Sequence, residues 1–182
     1  MSGPAPEFSR TLSWGTVGKQ EKREELKATP EECAALAARF GIPAIGSFSA
    51  SLRLRQESGG AVRVRGRLTA DVVQSCVVTL DPVGQHVDEP VDLRFLPEGA
   101  EMDDDPDGPD EIPTSNDLLE LGEALAEQLS LALDPYPRVP GASLPEGFTI
   151  GEDNEAAPAP EADAAPARLN PFAGLAALKG RK

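Results

Sequence analysis

Residues 74–83 read QSCVVTLDPV and place Cys76, one of two cysteines in the chain, ahead of His86, the only histidine. A thiol and an imidazole do nucleophilic chemistry together only within hydrogen-bond reach of one another. DPVG at 81–84 has the residue order of a type I turn. A two-residue hairpin on that turn pairs Thr79 with His86 and leaves Cys76 three residues further along, roughly 10 Å away and on the opposite sheet face. Cys76 is therefore expected to be a small apolar side chain packed in a strand, with a thiol enzyme using Cys76 as the opposing reading.

The other chemistry-bearing runs are charged. Residues 97–113, PEGAEMDDDPDGPDEIP, hold eight acidic residues and no basic one. With Asp103 in the first place of a calcium loop, Asp105, Asp107 and Gly108 fall at places three, five and six, but the twelfth is Thr114 where a bidentate Glu is needed. A solvated acidic loop unable to continue a sheet is the expectation. Arg53, Arg55, Arg63, Arg65 and Arg67 stand in SASLRLRQESGGAVRVRGRL, residues 49–68, where arginines alternate with Leu52, Leu54, Val62 and Val64. Period two with ESGG between the halves predicts a β-hairpin with one apolar and one arginine face. Like charges across strands are mildly destabilising, so the stripe needs acidic neighbours or a use, and RNA backbone is such a use. An ordinary wet face, neutralised by the acidic loop folding over it, is the competing reading.

Several elements must position these residues. KQEKREELK at 19–27 reads as a solvated helix or linker. Thr29, Pro30 and Glu32 form a capping-box start, and Gly41 a stop, for a helix over about 30–40. Further strands are expected at about 70–80 and 86–96, with Pro90 placing the latter at an edge or interrupting it. Asp117 and Glu120 suggest a second capping box, opening a helix over about 116–134 with Leu118, Leu121, Leu125, Leu129 and Leu133 on one face. Beyond 142 the chain is rich in Ala, Pro and acid, ending in the basic-apolar RLNPFAGLAALKGRK. The implied organisation is a segment 1–27, a domain 28–142 and a flexible tail 143–182. Its fold class is α+β: an antiparallel sheet of four or more strands, open or barrel-like, packed by two helices, with a disordered acidic loop and tail.

The net charge of −14 opposes non-specific wrapping of nucleic acid or an anionic membrane, so a nucleic-acid contact requires a local basic patch. Two cysteines are too few for a disulfide framework, and no Cys/His group has structural-zinc spacing. No metal or cofactor is expected. The start lacks a secretory pattern and no long apolar run occurs, which reads as a soluble cytoplasmic protein with no membrane partner.

Together, GRLTADVVQSCVVTLDPVGQHVDEPVDLRFLP at 66–97, the acidic loop, NDLLELGEALAEQLSLALDPYPRVPGA at 116–142 and NPFAGLAALK at 170–179 resemble the YceD family, the large ribosomal RNA subunit accumulation proteins. The resemblance implies a bacterial or plastid factor in large-subunit ribosome biogenesis, with no catalytic residue to carry over. Many members have C-x-x-C where this chain has Cys76 and Thr79, and further cysteines near PYPRVPGA. With two cysteines, one chain cannot supply four-thiolate zinc binding here. The reading is a non-enzymatic factor that binds large-subunit ribosomal RNA, a precursor particle or a basic ribosomal protein. Arg53, Arg55, Arg63, Arg65 and Arg67 are its candidate nucleic-acid contacts; an acidic adapter or chaperone for a basic ribosomal protein, using 97–113, is the alternative.

Overall fold

The computed structural model describes residues 6–103, 108–114 and 117–143. The element order is β1 (Thr11–Ser13), a 3-10 turn (Trp14–Thr16), β2 (Lys22–Lys27), α1 (Pro30–Phe40), β3 (Ala44–Gln56), β4 (Val62–Ser75), β5 (Pro82–Leu96), β6 (Asp110–Pro113), β7 (Leu118–Glu120) and α2 (Leu121–Ala132). The fold is α+β.

Five strands form one sheet in the order β2-β3-β4-β5-β6, and β1 pairs with β7 in a separate two-stranded ribbon. All ladders in the large sheet are antiparallel except β5–β6, which is parallel. The sheet is open, with β2 and β6 as its edges, and does not close into a barrel.

Strict alternation buries one face. Leu52 and Leu54 on β3, Val62, Val64 and Leu68 on β4, and Val91, Leu93 and Phe95 on β5 point inward and are almost fully covered. The cover is α1, through Leu36 and Ala37, and α2, through Leu121, Leu125 and Leu129. Phe8 joins them, its ring 5.2 Å from that of Phe48. Burying each such Leu or Phe contributes about 1.5–3 kcal/mol.

Local signals account for much of this. Thr29 Oγ1 accepts from Glu32 N–H, Glu32 accepts in return from Thr29 N–H, Pro30 occupies the first helical position, and Gly41 ends α1 at φ 66°. Arg10 clamps the same Glu32 with bonds of 2.7 and 2.8 Å, fixing the N-terminal segment to the helix start. Gly59 and Gly60, at φ 91° and 92°, make the β3–β4 turn that a side chain would strain.

Several expectations are corrected. KQEKREELK is neither helix nor linker at 22–27, because Lys22–Lys27 pairs along β3. The strands expected at 62–68 and 70–80 are one, since inward-outward alternation runs unbroken from Val62 to Ser75. The acidic stretch 97–113 does continue the sheet, through β6. Asp117 does not open a helix: it has φ 52°, Leu118–Glu120 pairs with β1, and α2 begins at Leu121 without a side-chain cap. Pro90 sits on the stretch of β5 that β6 leaves uncovered, where its missing N–H costs no ladder bond. The centre of the acidic run at 104–107, and the tail 144–182 with its NPFAGLAALK block, lie outside the described residues.

Candidate nucleic-acid interface

The outward face of the large sheet gathers all five arginines singled out from the sequence. Arg53 lies directly opposite Arg65, and Arg55 opposite Arg63. The same rows continue outward to Arg23 on β2 and to Asp92 and Arg94 on β5. With strands about 4.8 Å apart and alternate residues about 6.7 Å apart, this is a grid of cations on a phosphate-like spacing.

Between them lies an open trough of about 890 Å³. Six arginines line it (Arg23, Arg53, Arg55, Arg63, Arg65 and Arg67) against four carboxylates, Glu21, Glu25, Glu57 and Asp92. The local balance is +2 on a chain whose net charge is −14. None of the lining residues is aromatic, so the trough offers no ring on which a base could stack. Phosphate groups are the chemistry it suits.

The arginines are not equivalent. Arg63 makes a two-pronged pair with Asp92, at 2.5 and 2.7 Å, and Arg65 reaches the same carboxylate at 3.3 Å. Arg67 pairs with Asp88. The hydrogen bond to Asp92 raises the Arg63 pKa, and that to Asp88 raises the pKa of Arg67. Desolvation, the largest single influence on Asp92, opposes its ionisation, but Arg63 and Arg65 outweigh it and hold the carboxyl below its ordinary range. Among the described residues, Arg53 and Arg55 form no ion pair. Arg94 is held by Glu57 at 3.2 Å and Glu111 at 2.7 Å.

The expected neutralisation by the acidic loop is therefore supplied mostly from elsewhere: Asp88 and Asp92 on β5 do it for Arg63, Arg65 and Arg67. Arg23 was missed because KREELK has a single apolar residue, too few to reveal period two.

Cys76 and His86 are far apart. His86 pairs with Asp71 in the β4–β5 ladder, five positions from Cys76, and its Nδ1 lies 2.7 Å from Asp71 Oδ1 on the outward face. Ser47 donates to the other oxygen of Asp71 at 2.8 Å, so the carboxylate separates hydroxyl from imidazole and the three do not make a nucleophile–base pair.

Cys76 is fully covered but is not in a strand; it is the first residue of the loop 76–81. The Cys76 N–H donates to Asp81 O at 2.8 Å, Leu80 N–H donates to Cys76 O at 2.9 Å, and Thr79 N–H reaches Sγ at 3.5 Å. Hydrogen bonding from the Thr79 side chain, helped by backbone N–H groups of Thr79, Val139 and Val78, brings the thiol down to about 7. Val77 N–H donates to Pro137 O at 2.9 Å, which ties this loop to the chain around Pro137. The PYPRVPGA stretch thus packs at the same corner as Cys76 and Thr79. Among the described residues no group of three or more His, Cys, Asp or Glu side chains could hold a metal ion, and no helix is long and apolar enough to cross a membrane.

The family described as large ribosomal RNA subunit accumulation protein YceD matches residues 64–179, well over half of the chain. The chain belongs to the YceD family. Arg65, Arg67, Asp88, Asp92 and the Cys76 loop lie inside the matched span, whereas Arg53, Arg55 and Arg63 precede it. No curated protein and no solved structure matches the chain.

Proposed function

We propose that this chain supports accumulation of large-subunit ribosomal RNA by binding RNA phosphates on the arginine face of its sheet, without catalysing a reaction. The family's name supplies the process. The observation that carries the mechanism is the local charge inversion, six arginines against four carboxylates in one trough of a chain at −14. Such a face binds by releasing counterions from phosphates and reads little sequence, since it lacks stacking rings and touches backbone first. Its partner is large-subunit ribosomal RNA, free or in a precursor particle.

Arg53 and Arg55 are the residues to test, because reversing them breaks no ion pair of the described fold. Arg53→Glu with Arg55→Glu should weaken binding to ribosomal RNA fragments and flatten the dependence of log K on log salt, by about 0.7 for each single-strand phosphate no longer held. Full retention of affinity and salt slope would sink the proposal.

A second reading, an acidic adapter for a basic ribosomal protein, is favoured by the net charge of −14. Co-sedimentation separates the two: precursor particles whose capture by the protein survives the arginine reversals point to the acidic contact.

A further inference from the structure

The proposed RNA face carries its own competitor. Asp88 and Asp92 stand on the outward side of β5 with Pro90 between them, and each holds arginines of the neighbouring strand. Asp92 takes two prongs of Arg63 and one of Arg65, and Asp88 takes Arg67. Arg63 is only 16% exposed, while Asp92 remains 46% exposed. At that end of the trough Arg63 lies behind the Asp92 carboxylate, while Arg65 and Arg67, 65% and 58% exposed, stand beside their carboxylates at the surface.

We infer that Asp92 and Asp88 set the affinity and selectivity of this face by occupying, in the free protein, the guanidinium groups that phosphates would otherwise take. The inference rests on the reading of the face as RNA-binding. Its physical basis is exchange. Arg53 and Arg55 can take a phosphate at once, whereas Arg63 must first give up Asp92 to free its Nε and Nη2, and Arg65 and Arg67, held at Nε alone, already share their charge with a carboxylate. An isolated anion gains little by that exchange, because it replaces one negative partner with another. A polyanion already seated on Arg53 and Arg55 makes the exchange within the same complex, at high effective concentration. The trough therefore favours a continuous phosphate backbone over scattered anions and holds it reversibly.

The test uses the full chain and a single-stranded ribosomal RNA oligonucleotide, with affinity measured over a salt series. Asp92→Asn keeps a hydrogen-bond acceptor for Arg63 but removes the charge, and should tighten binding by up to about fivefold, the upper end set by exposed ion-pair strengths. The log K against log salt line should steepen by about 0.7 for each phosphate newly engaged. If thermal melting shows Asp92→Asn to be poorly folded, Asp88→Asn carries the same expectation, since its pair with Arg67 is exposed on both sides. Unchanged binding in both Asp variants, with binding lost in the Arg53→Glu, Arg55→Glu protein, overturns the inference and leaves the RNA reading standing. Weaker binding in a folded Asp92→Asn protein also overturns it, and makes Asp92 a residue that orients the arginines. No response to any of these variants removes the RNA reading itself.

Discussion

Gly66 lies in β4 between the arginine rows, opposite Leu52 on β3 and Val91 on β5. A Cβ built on it would stand 2.0 Å from Ser51 O and 3.0 Å from Leu52 Cα. Carbon and oxygen in adjacent strands normally meet at about 3.3–3.6 Å, so Gly66→Ala must push β3 and β4 apart by more than about 1 Å. Gly66 does not sit at a positive φ, so the alanine escapes left-handed strain; elsewhere such a change stabilises by about 0.4–1 kcal/mol. Here the overpacking costs about 1–3 kcal/mol, and each ladder hydrogen bond broken in the separation adds about 1 kcal/mol. The crowding wins, for a net destabilisation of about 2–4 kcal/mol. Urea unfolding followed by circular dichroism should show the midpoint falling by about 1 M or more at an unchanged slope. Because Arg53, Arg65 and Arg67 flank this point, RNA affinity should fall in the same variant. A Gly66→Ala protein as stable as the parent would refute the close approach and with it the account of how the trough floor is built.

Leu80 has φ 65° and a side chain 78% exposed, so it bears left-handed strain without compensating burial. Leu80→Gly should raise stability by about 0.5–1 kcal/mol, read from thermal melts; a decrease would mean that the loop depends on the side chain. Hydrogen bonding from Arg10 holds the Glu32 carboxyl below its ordinary range, so its contribution is present above that range and disappears as pH falls through the depressed value. Glu32→Gln should accordingly flatten the acid limb of melting temperature against pH. Thr79→Val removes the largest influence on the Cys76 thiol and should move the midpoint of its alkylation upward from about 7, while Cys33, pushed up by burial, reacts later. An unmoved midpoint would assign the shift to the backbone N–H groups alone.

Short-range chemistry was legible in the sequence. Thr29, Pro30, Glu32 and Gly41 sufficed for α1, because capping is settled within a few residues. Alternating Leu, Val and Arg announced the β3–β4 hairpin and put Arg53, Arg55, Arg63 and Arg65 on one face, because a pleat has a period of two. The blocks from Gly66 onward carried the family. Strand pairing over long separations was not legible. Lys22–Lys27 becomes a strand because β3 offers it a ladder, and Leu118–Glu120 leaves the helical pattern because Thr11–Ser13 does the same.

The β4–β5 register shows the difference best. The DPVG turn would have paired Thr79 with His86; instead the loop 76–81, tied to Pro137 and closed around Cys76, pairs Asp71 with His86. That slip sets Asp92 opposite Arg65 and brings Asp88 to Arg67. That an arginine face exists, and which family the chain belongs to, could be read from the order of residues. Which arginines are already held by carboxylates emerges with folding, since that depends on how one strand slides past another under contacts far away in the chain.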